Sequence, residues 1–354
     1  MACIVLIGGS MGAVQAAENA DPAKTAEPAG TAEPAEIAEP AEKELGTLSL
    51  KFENDLFSGA DQHYTNGVRL SWLSPEGDTF RPLQTIRDLL EEIAQDENKT
   101  TRFGLSAGQD MYTPKDSKAR ELLVDDRPYA GWLYGGLSLH TVSDHGQGRM
   151  DQESVEVNVG IIGPWSLAEV NQDFVHSVRS IEKFNGWDNQ LHNEPGLLIN
   201  YERKWRLFDP IKWGGTGFDA IPHAGASLGN VMTGANAGGA VRWGWNLPKD
   251  FGPPGLIHSV SPLDRRPDES ISFYAFASLQ GRFVAHNIFL DGNTFRDSHS
   301  VDKNNWVGDA SLGVALLVGR FEIAYTNAFR SREFAGQDDH SRFGSLAVSF
   351  QAVF

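Results

Sequence analysis

Oxygen-bearing side chains cluster twice near the front of the folded chain. Phe52-Glu53-Asn54-Asp55-Leu56-Phe57 sets an amide beside a carboxylate, and Asp61-Gln62-His63-Tyr64-Thr65-Asn66-Gly67 follows with more oxygens and donors. Hard cations such as Ca²⁺ select carboxylate, amide and hydroxyl oxygens. The plainer reading of both clusters is polar residues at a loop tip. A third group has helical spacing: His176, with Gln172 one turn before it and Glu182 six residues on. Imidazole titrates near neutral pH and is the commonest general base. A lone histidine on a helix is ordinarily a surface or packing residue. Phe174, Val175 and Val178 beside it supply an apolar setting that tunes its basicity.

Two other patterns carry no chemistry. Gly225-Ala226-Ser227-Leu228-Gly229 and Gly8-Gly9-Ser10-Met11-Gly12 both fit the nucleophile elbow, which requires a strand turning into a helix. Ser227 lies within an alternating strand and Ser10 within a leader. Asp291-Gly292-Asn293-Thr294-Phe295 begins like a calcium loop, but Phe295 stands at a ligand position and no glycine follows at the sixth.

The elements that must position these groups are strands. The chain closes on Ser345-Leu346-Ala347-Val348-Ser349-Phe350-Gln351-Ala352-Val353-Phe354, a period of two ending on an aromatic. That is the pattern of the last strand of an outer-membrane β-barrel, whose alternate residues meet lipid and water. It also implies delivery by the barrel-assembly machinery, with Phe354 as the terminal signal. From Gly46 onward twelve strands are predicted, at 46–57, 64–74, 101–112, 130–142, 152–162, 195–208, 217–231, 236–246, 270–286, 305–318, 319–331 and 341–354. Helical spacing interrupts them at 82–95 and 167–184. The fold class is therefore all-β, a transmembrane barrel of about twelve antiparallel strands, with a short extracellular loop helix and a periplasmic helix. An even strand count puts both ends on the periplasmic side. The polar clusters at 53–66, 109–127 and 164–194 then converge on the extracellular rim.

Bulk properties agree. No run of 18 apolar residues exists to make a membrane helix. Residues 1–16 are small and apolar and read as an export signal, cleaved after Val14-Gln15-Ala16, although the basic start of such a signal is missing. Residues 17–45 repeat Ala, Pro and Glu and read as a disordered periplasmic linker, leaving 46–354 as the barrel domain. The linker holds eight acids against Lys24 and Lys43, a net −6 of the chain's −17, and this acidity argues against a nucleic-acid partner. Cys3 is the one cysteine and falls in the leader. Disulfides, cysteine–zinc sites and cysteine nucleophiles are excluded from the mature chain.

Six motifs recur together in order: Phe-Glu-Asn-Asp (52–55), Tyr-Thr-Asn-Gly (64–67), Gln-Asp-Met-Tyr-Thr-Pro (109–114), Asp-Arg-Pro-Tyr-Ala-Gly-Trp (126–132), Gly-Ile-Ile-Gly-Pro (160–164), and the run from Gln172 through His176 to Glu182-Lys183-Phe184. The set resembles the outer-membrane lipid A 3′-O-deacylases over about residues 46–354. The resemblance implies a twelve-stranded barrel and a Ca²⁺-dependent esterase at the outer-leaflet end, acting on lipopolysaccharide. It also implies roles for Asn54, Thr65, Gln172 and His176 in catalysis, for Asp55 at the metal, and for Glu182 either at the metal or orienting His176. The family's lysine after strand three has no single counterpart here; Lys115 and Lys118 both fit. The expected reaction is water attack on the 3′-linked acyloxyacyl ester, with His176 as general base. Two rivals stand beside it: an outer-membrane phospholipase of the Ser-His type, and a non-enzymatic porin or structural barrel.

If Leu48, Leu50 and Phe52 face lipid, alternation points Asn54 outward and Asp55 inward. A cation touching both then needs a bulge or a strand end.

Overall fold

A computed structural model describes residues 46–54, 63–76, 99–116, 118–179, 183–252 and 271–353. All of them belong to the unit Lys43–Phe354. The export signal, the linker, the helix expected at 82–95, Asp55, Glu182 and Phe354 lie outside the described residues.

Among the described residues thirteen strands form a single antiparallel sheet. They are β1 Gly46–Asn54, β2 His63–Leu73, β3 Lys99–Thr113, β4 Ala130–Asp144, β5 Met150–Ile162, β6 Glu194–Arg206, β7 Ile211–Trp213, β8 Thr216–Leu228, β9 Met232–Trp245, β10 Ser272–Asn287, β11 Trp306–Val318, β12 Phe321–Arg330 and β13 Ser341–Ala352. Two pairings turn the sheet into a closed barrel. β1 runs antiparallel to β13 from Gly46↔Ala352 to Asn54↔Gly344, and β6 pairs with β8. β7 is a three-residue ribbon on β8 and not part of the wall, so twelve strands close it. All twelve expected strands are present. β7 has no sequence signal, because three residues hold barely one period of alternation.

Closure satisfies the backbone without a free edge, which is what permits strands to stand in lipid. Among the described residues no helix is long and apolar enough to cross a membrane. The alternation then divides the faces. Along β1, Leu48 and Leu50 are exposed while Thr47 and Ser49 are buried. Along β13, Ser345, Ser349 and Gln351 are buried, and the Ser49 and Ser349 hydroxyls meet at 2.8 Å across the closing seam. The connection between β11 and β12 is as short as expected, with Gly319 at φ 56, a left-handed position that suits glycine.

The inward face is polar and ion-paired. Arg242 lies 2.6 Å from Asp219 and also pairs with Asp250, Asp309 takes Arg282 and Arg330 at 2.7 Å each, and Arg69 meets Glu156 at 2.8 Å. Buried charges persist only when paired in this way. With twelve wall strands the first and last share one end, periplasmic by the rule for bacterial barrels. Asn54, the start of β2, the end of β3 and the start of β4 then share the opposite rim.

Candidate functional site

One row of residues organises that rim. Cross-strand partners point the same way, and the pairings Gly344↔Asn54, Asn54↔Asn66, Asn66↔Met111 and Met111↔Gly131 run over β13, β1, β2, β3 and β4. On β4 the same parity carries Leu133 and Leu137, both exposed. The row is therefore on the outside of the barrel, yet Asn54, Asn66 and Met111 are buried.

The cover over the β3–β4 part of the row is the loop after β5. A 3-10 turn, Pro164–Ser166, leads through Leu167, at φ 60, into the rim helix Ala168–Arg179. A Cβ on Gly131 would run into the Ser166 hydroxyl and the Ala168 methyl. A glycine is what lets the helix approach the wall so closely. From there the helix is tied to β3: Gln109 donates to the Ser166 carbonyl at 2.5 Å, and Asn171 donates to Gln109 Oε1 at 2.9 Å. Met111, Tyr129, Ala168, Phe184 and Trp187 pack as one apolar cluster beneath it.

Ala168, Gln172 and His176 recur every fourth residue and are all buried, so they form the wall-facing stripe. Gln172 Oε1 accepts from Trp187 Nε1 at 2.7 Å. Among the described residues its buried Nε2 has no acceptor, and the buried Asn66 Oδ1 has no donor. An unmet buried polar atom costs about 1–3 kcal/mol, which water or a bound oxygen removes. His176 packs edge-on against Phe184, with ring centroids 5.6 Å apart. Phe184 in turn meets Tyr129, which also touches Trp187 at 5.1 Å. Burial pushes the Tyr129 phenol up to about 12. It stays protonated and serves as a packing ring.

Two sequence expectations need correcting. His176 meets the Phe184 ring, eight residues on, whereas Phe174, one of the three expected apolar neighbours, is 68% exposed and turned away. Residues two apart on a helix stand about 200° apart and do not share a face. The helix is described over Ala168–Arg179, and residues 183 and 184 are not helical, short of the expected 184.

The parity of Asn54 is confirmed as outward, but outward at this height does not mean lipid. Next to it the register of β2 against β3 slips between Tyr64 and Asn66, which makes Thr65 the extra residue of a bulge. Alternation therefore breaks at Thr65. The strand backbone at Thr65 is described but its side chain is not.

Of the six expected site residues, Asn54 lies on the outward row, and Gln172 and His176 lie on the stripe facing that same side of the wall. Asn54 is two strand spacings along the row from Met111, about 10 Å. Lys115 is drawn elsewhere, to Asp338 at 3.1 Å. Ser227 donates to Asn200 Oδ1 within the wall, at 2.7 Å, and has no elbow geometry. The loop at 291–295 is held by protein contacts: Asp291 pairs with Lys303, while Asn293 and Thr294 both donate to Glu194. Sequence reasoning passed over Gln109, Asn66, Phe184 and Trp187. Gln109 and Asn66 stand inside two of the quoted motifs, whereas Trp187 has no local signal.

The closed wall, its two-faced alternation and the polar interior define an outer-membrane β-barrel protein. A family model described as outer membrane protein LpxR matches residues 20–352, and the chain belongs to that family. Its fold is similar to that of LpxR from Salmonella typhimurium, with a TM-score of 0.67 at 18% identity, covering 86% of this chain and 99% of that one. The beta domain of the Bordetella autotransporter BrkA aligns over 88% of this chain and 100% of its own, with a TM-score of 0.47 at 7% identity. No curated protein sequence matches the chain.

Proposed function

We propose that the protein hydrolyses the 3′-linked acyloxyacyl ester of lipid A in the outer leaflet. The observation that carries this reading is the burial of His176 and Gln172 against the outer side of the wall. A base placed there addresses an ester held in the membrane, whereas a base in the lumen would address a solute. Family membership and the six ordered motifs support the same substrate.

His176 takes a proton from water, which attacks the ester carbonyl, and returns it to the leaving alcohol. Gln172 offers its spare amide donor to the carbonyl oxygen as charge develops there. Asn54 and Thr65 position water or substrate at the rim. The spare Asn66 oxygen and the amide of Asn54 are neutral oxygen donors of the kind Ca²⁺ accepts. Asp55 and Glu182 would supply the negative ligands. When bound, Ca²⁺ would polarise the ester carbonyl and favour the oxyanion.

The porin alternative fits poorly with an interior crossed by buried ion pairs. The direct test is mass spectrometry of lipid A from cells with and without the gene. Loss of the 3′ acyl groups on expression is the expected result, abolished by chelation and restored by added Ca²⁺. Unchanged lipid A from cells that insert the barrel would overturn the reading, and chelation without effect would remove the metal.

A further inference from the structure

The rim helix has a second face. About half a turn away from the stripe of Ala168, Gln172 and His176, the helix shows Val170 and Phe174, joined by Leu167 and Trp165 from the preceding turn. These four are 61%, 68%, 51% and 68% exposed. At about 100° per residue Val170 and Phe174 lie opposite the wall, and Glu169, Asp173 and Ser177 fill a polar flank between them and the stripe. Lys183 closes that flank with a 2.8 Å bond to Asp173. A patch of large apolar side chains on one rim is a contact surface.

The position of the helix says what covers it. Because Gly131 and Met111 touch the helix from the outward row, the opposite side of the helix faces away from the barrel. The adjoining wall there carries Leu133, Val159 and Leu197, all exposed on the lipid side. The helix patch continues that band upward. An amphipathic helix with one apolar side and one charged flank, set against the lipid-facing side of the wall, sits in the membrane interface.

We propose that Trp165, Leu167, Val170 and Phe174 embed in the outer leaflet and gather the acyl chains of a lipid A molecule arriving sideways through the membrane plane. The identity of the chains rests on the deacylase reading; the lipid contact does not.

The test uses the full chain with Cys3→Ser, carrying either Val170→Cys or Ser177→Cys labelled with an environment-sensitive fluorophore. Each is reconstituted into vesicles of lipopolysaccharide and phospholipid. The probe at position 170 is expected to be quenched by nitroxide-labelled acyl chains and shielded from iodide, with the reverse at position 177. Phe174→Asp is expected to slow deacylation about ten-fold at low surface fractions of lipid A, the loss of one large apolar contact, and to reach the wild-type rate at saturation. A probe at position 170 open to iodide, or shielded only by a second protein, overturns the proposal. So does a Phe174→Asp variant with the wild-type dependence on surface fraction. Quenching needs no turnover, so a chain that failed as a deacylase would still report the lipid contact, and the two failures read differently.

Discussion

At the scale of single residues, His176 and Gln172 are where the functional reading is most exposed to test. Replacing His176 with Ala should lower lipid A deacylation by about two to four orders of magnitude, the usual loss with a general base. The variant should keep the barrel's heat-modifiable mobility on gels, because the imidazole lies outside the ion-paired interior. A wild-type rate for His176→Ala would remove it from the reaction. Candidate residues are legible because Asn, Asp, Gln and His stand out against an alternating pattern. Their surroundings are not. Phe184 and Trp187 reach Met111 and Tyr129 through packing across the loop, and no local spacing encodes it.

At the scale of elements, the sequence announces strands well and their covering less well. Alternation of Leu48, Leu50, Val68 and Leu70 against buried neighbours finds β1 and β2 without help. The bulge at Thr65 is silent, because an inserted residue changes register without changing composition. Equally silent is that the helix after β5 lies against the outside of the wall. The only trace of it in sequence is Gly131, one glycine among many. Gly131→Val should therefore push Ala168 and Ser166 off β4, cutting deacylation at least ten-fold while the wall still forms, an outcome read by mass spectrometry beside gel mobility. Loss of the folded band instead would mean that the helix contact stabilises the barrel itself.

At the scale of the whole molecule, stability divides by face. Leu137 is exposed to lipid in the middle of β4, and arginine there should cost about 2–4 kcal/mol in denaturant unfolding from lipid vesicles. Arg242→Ala acts from the other side. It leaves the buried carboxylates of Asp219 and Asp250 without their cation and should cost about 3–5 kcal/mol. Equal, small effects from both changes would mean that the two faces do not divide lipid from a packed polar interior.

The seam between β1 and β13 adds a matter of timing. Asn54 takes its register from Gly344, so the first strand of the wall is held by the last one synthesised. Under the deacylase reading, a chain still crossing the periplasm lacks a finished rim and cannot attack the lipid A it passes. Catalytic competence then arrives with the final stitch of assembly, and a chain cut short before Gly344 is harmless as well as unfolded.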